Sequence, residues 1–173
     1  MDEQKLHGDE HEETATTAPP VQTETDVHNQ LVQHNQEVQK KMCWLAGELA
    51  VRGVEHDRSK FTDAEFNTFV QFAPLLKTTT YGDDVYRKAL KDMKPALDHH
   101  YKANRHHPEH FEEGIRGMNL IDLIEMFCDW YASTERQKDG DIRKSIEANQ
   151  KRFHFTNELK EIFLNTVEWD EKG

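Results

Sequence analysis

The chain has 173 residues and a formal net charge of -11, a length that suits one domain and an acidity that repels both a nucleic-acid backbone and an anionic membrane surface. Extended nucleic acid and membrane are therefore not expected as partners, while a local basic pocket stays compatible with one small phosphorylated molecule. No run of about 18 apolar residues reads as a membrane span, and the acidic start (MDEQKLHGDEHEE) is unlike a secretory or transit peptide, so a cytoplasmic location is expected. Cys43 and Cys128 each sit in an apolar helical pattern and form no C-x-x-C pair, which reads as buried thiols in a reducing compartment. Eleven histidines, five of them between positions 99 and 110, are the feature that composition does not explain.

Residues 1–26 mix Glu, Thr, Gln and Pro with almost no large apolar side chain and read as a disordered acidic tail, with His7 and His11 as solvated bystanders. From His28 the pattern turns helical, with Leu31, His34, Val38, Met42, Leu45 and Leu49 on one stripe and Gly53 as the stop. Thr62-Asp63-Ala64-Glu65 reads as a capping box opening a second helix that carries Phe66, Phe69 and Val70 and stops before Pro74. A third pattern runs from Asp84 through Ala89, Leu90 and Met93 to Leu97 and Tyr101, where Pro95 forces a kink or a fresh start. After the histidine-rich turn, residues 118–134 (MNLIDLIEMFCDWYAST) are apolar nearly all round and predict a buried helix, with Asp122, Glu125 and Asp129 projecting from one side. Two amphipathic stretches follow, one opening at Asp141 and one capped by Thr156 with Leu159, Ile162, Phe163 and Val167 inward. No strand-like alternation competes, so an all-α helical bundle over 27–173 is expected.

Chemistry concentrates in His34, His56-Asp57, His99-His100, His106-His107 and Asp129. Imidazole nitrogens with a few carboxylates suit one or two divalent transition metal ions, Mn, Fe, Co, Ni or Zn, rather than a pure Mg site. His100 follows Ala96 and Leu97 by four and three residues and points inward more readily than His99, and His106 or His107 joins it as ligand. His99, Glu109, Asp122 and Glu125 are read as partners that orient the imidazoles. His28 is an alternative first ligand, and His110 and His154 are read as structural. Lys60, Lys102 and Arg105 could neutralise a phosphate, or simply be solvated in turns. Phe72, Tyr81, Tyr101 and Trp130 serve equally as pocket walls or core.

This order resembles the HD-domain superfamily of metal-dependent phosphohydrolases, in which a first His, an adjacent His-Asp and a distant Asp ligate one metal. The matching positions are His34, His56, Asp57 and Asp129, the last in Cys128-Asp129-Trp130-Tyr131-Ala132, which is similar to the family's A-D-x-x-A helix. His56-Asp57-Arg58-Ser59-Lys60 also looks like the H-D-x-x-K of the metal-rich branch, whose lysine faces substrate phosphate. The combination of HDRSKF, HHYKANRHHPE and EMFCDW further resembles a family of bacteria and their phages that has no assigned substrate. The resemblance implies a phosphohydrolase acting on a nucleotide or related small phosphoester through a metal-bound hydroxide, with Asp57 and Lys60 catalytic and a second ion on the 99–107 histidines. Two rival readings are a di-iron oxygenase on the same fold, as in an inositol-oxidising family, and a protein that sequesters a nucleotide or signalling molecule without turnover. A homo-oligomer is compatible with each.

Overall fold

Thr23 and Asp26 start the first helix by capping each other: the Thr23 hydroxyl accepts from the Asp26 amide at 3.2 Å, and the Asp26 carboxylate accepts from the Thr23 amide at 3.0 Å. That box opens the helix four residues before His28. The computed structural model describes residues 22–79, 83–136 and 140–172; His7, His11, Tyr81 and the tail through residue 21 lie outside them. Among the described residues there are seven α-helices and no strand: α1 (Glu24–Glu55), α2 (Phe66–Thr78), α3 (Asp84–Asp92), α4 (Lys94–Ala103), α5 (Leu120–Glu135), α6 (Ile142–Phe153) and α7 (Asn157–Asp170). Short 3-10 turns at Arg58–Phe61, Pro108–His110 and Gly114–Gly117 join them. The architecture is all-α, and no described helix is long and apolar enough to cross a membrane.

The chain divides into two units, Met1–Lys41 and Met42–Gly173. The described part of the first is the N-terminal stretch of α1, and there the expected buried stripe is exposed: Leu31 keeps 60% of its surface, and Val38 and His34 also face solvent. Helical spacing makes a stripe but does not supply an element to cover it. Farther along α1, in the second unit, Met42 is 65% exposed while Leu45 and Leu49 are half-buried.

The second unit holds the packed core. Met126 and Phe127 of α5, Ile142 and Ile146 of α6, Phe155, and Phe163 and Val167 of α7 form one buried cluster. Phe163 stacks on Phe127 with ring centroids 5.3 Å apart and meets Trp130 and Phe155 edge-on. Trp130 therefore serves the core, with Phe153 and Phe155 stacked on it. Ile162, expected inward, is exposed, as is Leu120.

Several boundaries differ from the sequence expectation for local reasons. α1 runs through Gly53 and ends at Glu55, and the turn is made instead by Asp57 in the left-handed region at φ 56°. Pro74 lies inside α2, which continues to Thr78. Thr62 and Glu65 form no capping box: the Thr62 hydroxyl donates back to the Ser59 carbonyl, and α2 begins only at Phe66. Pro95 sits in the first turn of α4, the fresh start that its missing N–H favours. Asp141 and Thr156 cap α6 and α7 as their positions predict. Cys43 and Cys128 are free and exposed, not buried.

Phe163→Ala removes the ring that links α5 to α7, and it is expected to lower unfolding stability by about 3–5 kcal/mol in urea titration. A loss of less than about 1 kcal/mol would contradict the core assignment.

Candidate metal centre

Four segments of the second unit bring the site together. The end of α1 carries His56, with Asp57 in the following turn; α4 ends in His99 and His100; the loop after it holds His106 and His107; and α5 presents Asp122, Glu125 and Asp129. Asp57 is kept in its left-handed conformation by its neighbours rather than by glycine freedom, since aspartate is one of the few side chains that tolerates it.

Two buried carboxylates aim the imidazoles. One oxygen of Glu125 accepts the Nδ1–H of His56 at 2.9 Å and that of His106 at 3.0 Å, while Arg52 donates to the other at 2.7 Å. Glu65, fully buried, accepts from Nδ1 of His100 at 2.9 Å and of His99 at 2.7 Å, one carboxylate oxygen for each. A carboxylate on Nδ1 fixes the tautomer and leaves Nε2 with its lone pair free to ligate.

Those Nε2 atoms converge on Asp57. Its Oδ1 lies 3.3 Å from Nε2 of His100 and 3.5 Å from Nε2 of His106, and its Oδ2 lies 3.3 Å from Nε2 of His56. Nε2 of His107 is 2.9 Å from that of His100, and Oδ1 of Asp129 is 3.6 Å from that of His56. Asp57, His100, His106 and His107 thus form one group of potential ligand atoms, and His56, Asp57 and Asp129 a second. Ligand bonds of about 2.0–2.2 Å place neighbouring donors roughly 3.0–3.5 Å apart, so the spacings fit a coordination shell. Among the described residues two buried side-chain atoms have no hydrogen-bond partner, Oδ1 of Asp57 and Nε2 of His106, and they lie 3.5 Å apart across this space. An orphaned buried acceptor is costly unless a cation completes it.

The electrostatics agree. Hydrogen bonds from Asp129, Asp57 and Glu125 push the His56 imidazole up to about 11, so without a metal it stands in as the cation. Burial, helped by neighbouring His106 and His100, pushes His107 down to about 3 and keeps it neutral, the state a ligand needs. Burial also lowers His100. Burial alone would raise the Asp57, Glu125 and Asp129 carboxyls, but hydrogen bonds from the facing histidines overcome it and hold all three below the usual range.

Other expected residues take different places. His34 is exposed on the first unit's part of α1 and belongs to none of the potential ligand groups. The Lys60 ammonium pairs with Oδ2 of Asp57, Lys102 is exposed, and Arg105 grips Asp122 through two nitrogens at 3.1 and 2.8 Å. Asp122 holds Arg52 and Arg105 and closes a capping box with Asn119, so it touches no imidazole. Glu109 pairs with Arg152 instead of a histidine. His110 bonds the Tyr101 carbonyl, a structural role, and His154 ends α6 in the left-handed region. Tyr101 reaches His107 and Phe69 stands edge-on to His100, so these rings flank the imidazoles, whereas Phe72 is half-buried. Glu65 and Arg52 are the residues that sequence reasoning missed. Arg52 lies four residues before His56, one helical turn away on the same face, which is a readable signal; Glu65 was hidden by its capping-box spacing.

Glu125→Gln removes the charge that fixes two rings and is expected to weaken metal affinity about 10- to 100-fold in chelator competition; unchanged affinity would refute its orienting role. The raised His56 value has a pH consequence in chelated protein. Its stabilisation is complete below its ordinary value of 6.5 and is lost as pH rises through about 11. The stability difference between wild type and His56→Gln in denaturant should therefore shrink from pH 6.5 upward, and a constant difference would rule this out.

No curated protein and no solved structure matches the chain. Residues 23–169 match the model of a family of unknown function, DUF5662, a span that includes every residue of the centre, and the chain belongs to that family.

Proposed function

We propose that the protein is a metal-dependent phosphohydrolase of the HD-domain kind, acting on a nucleotide or related small phosphoester. The observation that carries the reading is the convergence of the Nε2 atoms of His56, His100 and His106 on the two oxygens of Asp57, with His107 in the same group of potential ligands and with Oδ1 of Asp57 and Nε2 of His106 buried and orphaned. His100, His106, His107 and Oδ1 of Asp57 would hold one divalent transition metal ion, and His56, Asp129 and Oδ2 of Asp57 a second. Such ions supply Lewis acidity and lower the pKa of water from about 15.7 towards 7, giving a hydroxide nucleophile at neutral pH.

The chain's own groups do the rest. Around the centre five carboxylates, Asp57, Glu65, Asp122, Glu125 and Asp129, outnumber the cations Arg52, Lys60, Arg105 and the protonated His56. This negative excess favours metal cations and repels a phosphate until they are bound. Asp57 spans both ligand groups, and Lys60 holds its Oδ2 in place. In hydrolysis the oxygen of water forms the new bond to phosphorus, the ester P–O bond breaks, and the proton released by water goes to the departing alkoxide.

Protein as purified should contain one to two equivalents of Mn, Fe, Co, Ni or Zn by elemental analysis, and it should release phosphate from members of a panel of nucleoside mono-, di- and triphosphates and cyclic nucleotides. Asp57→Ala should lose both metal and activity. A metal-loaded protein that leaves the whole panel untouched would defeat the hydrolase reading. Intact ligand recovered after tight binding would then favour sequestration, and oxygen-dependent turnover with iron would favour the oxygenase.

A further inference from the structure

The residues around Asp122 build a second feature that the metal centre does not use. Asp122 is fully buried and binds Arg52 through Oδ1 and Arg105 through both oxygens, fixing two guanidinium groups side by side. Arg105 uses Nε and Nη2 for these bonds, and Arg52 uses Nη2 here and Nε on Glu125. Guanidinium has five N–H donors, so Nη1 of each remains for a ligand. The Arg105 group also lies over the Phe111 ring, 4.9 Å from its centroid, and a Cβ on Gly117 would fall 2.9 Å from Cβ of Phe111, so the bare glycine permits that ring's position. Arg58 pairs with Glu55 through Nη1 alone.

Arg52, Arg58 and Arg105 line one cavity of about 340 Å³, together with Ser59, Asn104 and the His106 and Glu125 of the metal centre. A second cavity, of about 790 Å³, shares Arg58 and Ser59 with the first and is walled by Val54 and Phe61, both 77% exposed. The arginine cavity is thus bordered by His106 and Glu125 of the metal centre on one side and shares Arg58 and Ser59 with the apolar cavity on the other. Both carboxylates that border the arginine cavity, Glu55 and Glu125, are already bound by arginines, so its open donors are cationic.

We infer that this run of cavities binds a nucleoside diphosphate or longer polyphosphate: one phosphoryl group at the metal centre, the next between Arg52, Arg58 and Arg105, and the base against Phe61. Arginine forks suit phosphate oxygens, and an aromatic face accepts any base by stacking. The inference rests on the hydrolase reading for the role of the metal end, and it narrows the substrate from phosphoesters in general to those with at least two linked phosphates.

The test is calorimetry on the full-length protein loaded with Mn, using α,β-methylene-ADP, methylenediphosphonate and, for AMP, its phosphonate analogue in which CH2 replaces the ester oxygen, so that no ligand presents a phosphomonoester or diphosphate bond to hydrolyse. The wild type should bind the methylene diphosphate nucleotide at least about tenfold tighter than the AMP analogue. Arg58→Gln should collapse that ratio to near unity with its metal content intact by elemental analysis. Phe61→Ala should weaken both nucleotides alike, by about tenfold, and leave methylenediphosphonate unchanged. Equal affinities for the AMP analogue and the diphosphate analogue in the wild type, or a ratio that survives Arg58→Gln, would overturn the proposal. Because binding is read without turnover, a protein that is inactive but keeps the preference refutes only the hydrolase, and an active one without the preference refutes only the cavity assignment.

Discussion

His56 and His106 hand their Nδ1 protons to a single oxygen of Glu125, and Arg52 holds the other oxygen. Everything about the centre follows from that arrangement. A carboxylate with two imidazole donors on one oxygen fixes both tautomers and both ring planes, so each Nε2 has one direction in which to present its lone pair. The same carboxylate ties together the end of α1, the loop after α4 and the middle of α5, three segments distant in sequence. Arg52 adds to what the two imidazoles do, since burial alone would favour the protonated form of Glu125. Asp122 in turn holds Arg52 from the first turn of α5, where the reciprocal bonds with Asn119 anchor it.

Glu65 repeats the device with His99 and His100 as its two donors. The centre is thus braced by two carboxylates, each supporting a pair of rings. His99 is half exposed and contributes to none of the potential ligand groups, so its bond serves to steady Glu65 rather than to present another donor. His100, buried, receives the benefit. The neutral His107 completes the set at 2.9 Å from His100, a separation at which two lone pairs repel unless a proton or a cation lies between them. Such a site conflicts with the rest of the fold in the metal-free protein, and the aromatic core of α5, α6 and α7 supplies the stability that lets it persist.

What could be read from the sequence is what neighbours in sequence decide. The caps at Asp141 and Thr156, the restart at Pro95 and the shared face of Glu125 and Asp129 depend on residues within one or two turns, and the structure has them as expected. The failures are tertiary. Thr62 and Glu65 carry capping-box spacing, but histidines 34 and 35 residues away draw the Glu65 side chain inward and leave the helix to start without it. The stripe that bears His34 has correct helical spacing, yet whether it is covered depends on an element that periodicity cannot name. Asp122 and Glu125 read alike, as acids on one apolar helix; Asp122 takes both Arg52 and Arg105, whereas Glu125 shares Arg52 and gives its other oxygen to two imidazoles.

The sign of the charge also imposes an order of events. Without cations the cluster of carboxylates keeps His56 protonated and presents a negative field to any phosphate. Lys60 does not relieve this, because its ammonium is spent on Asp57. Cations at the converging Nε2 atoms would displace the His56 proton and reverse the field, and on the proposed reading the arginine cavity and the metal centre would then act on the same anion. On the proposed reading, metal occupancy would precede phosphate binding, and the spare guanidinium donors would gain a ligand once the centre beside them held its ions.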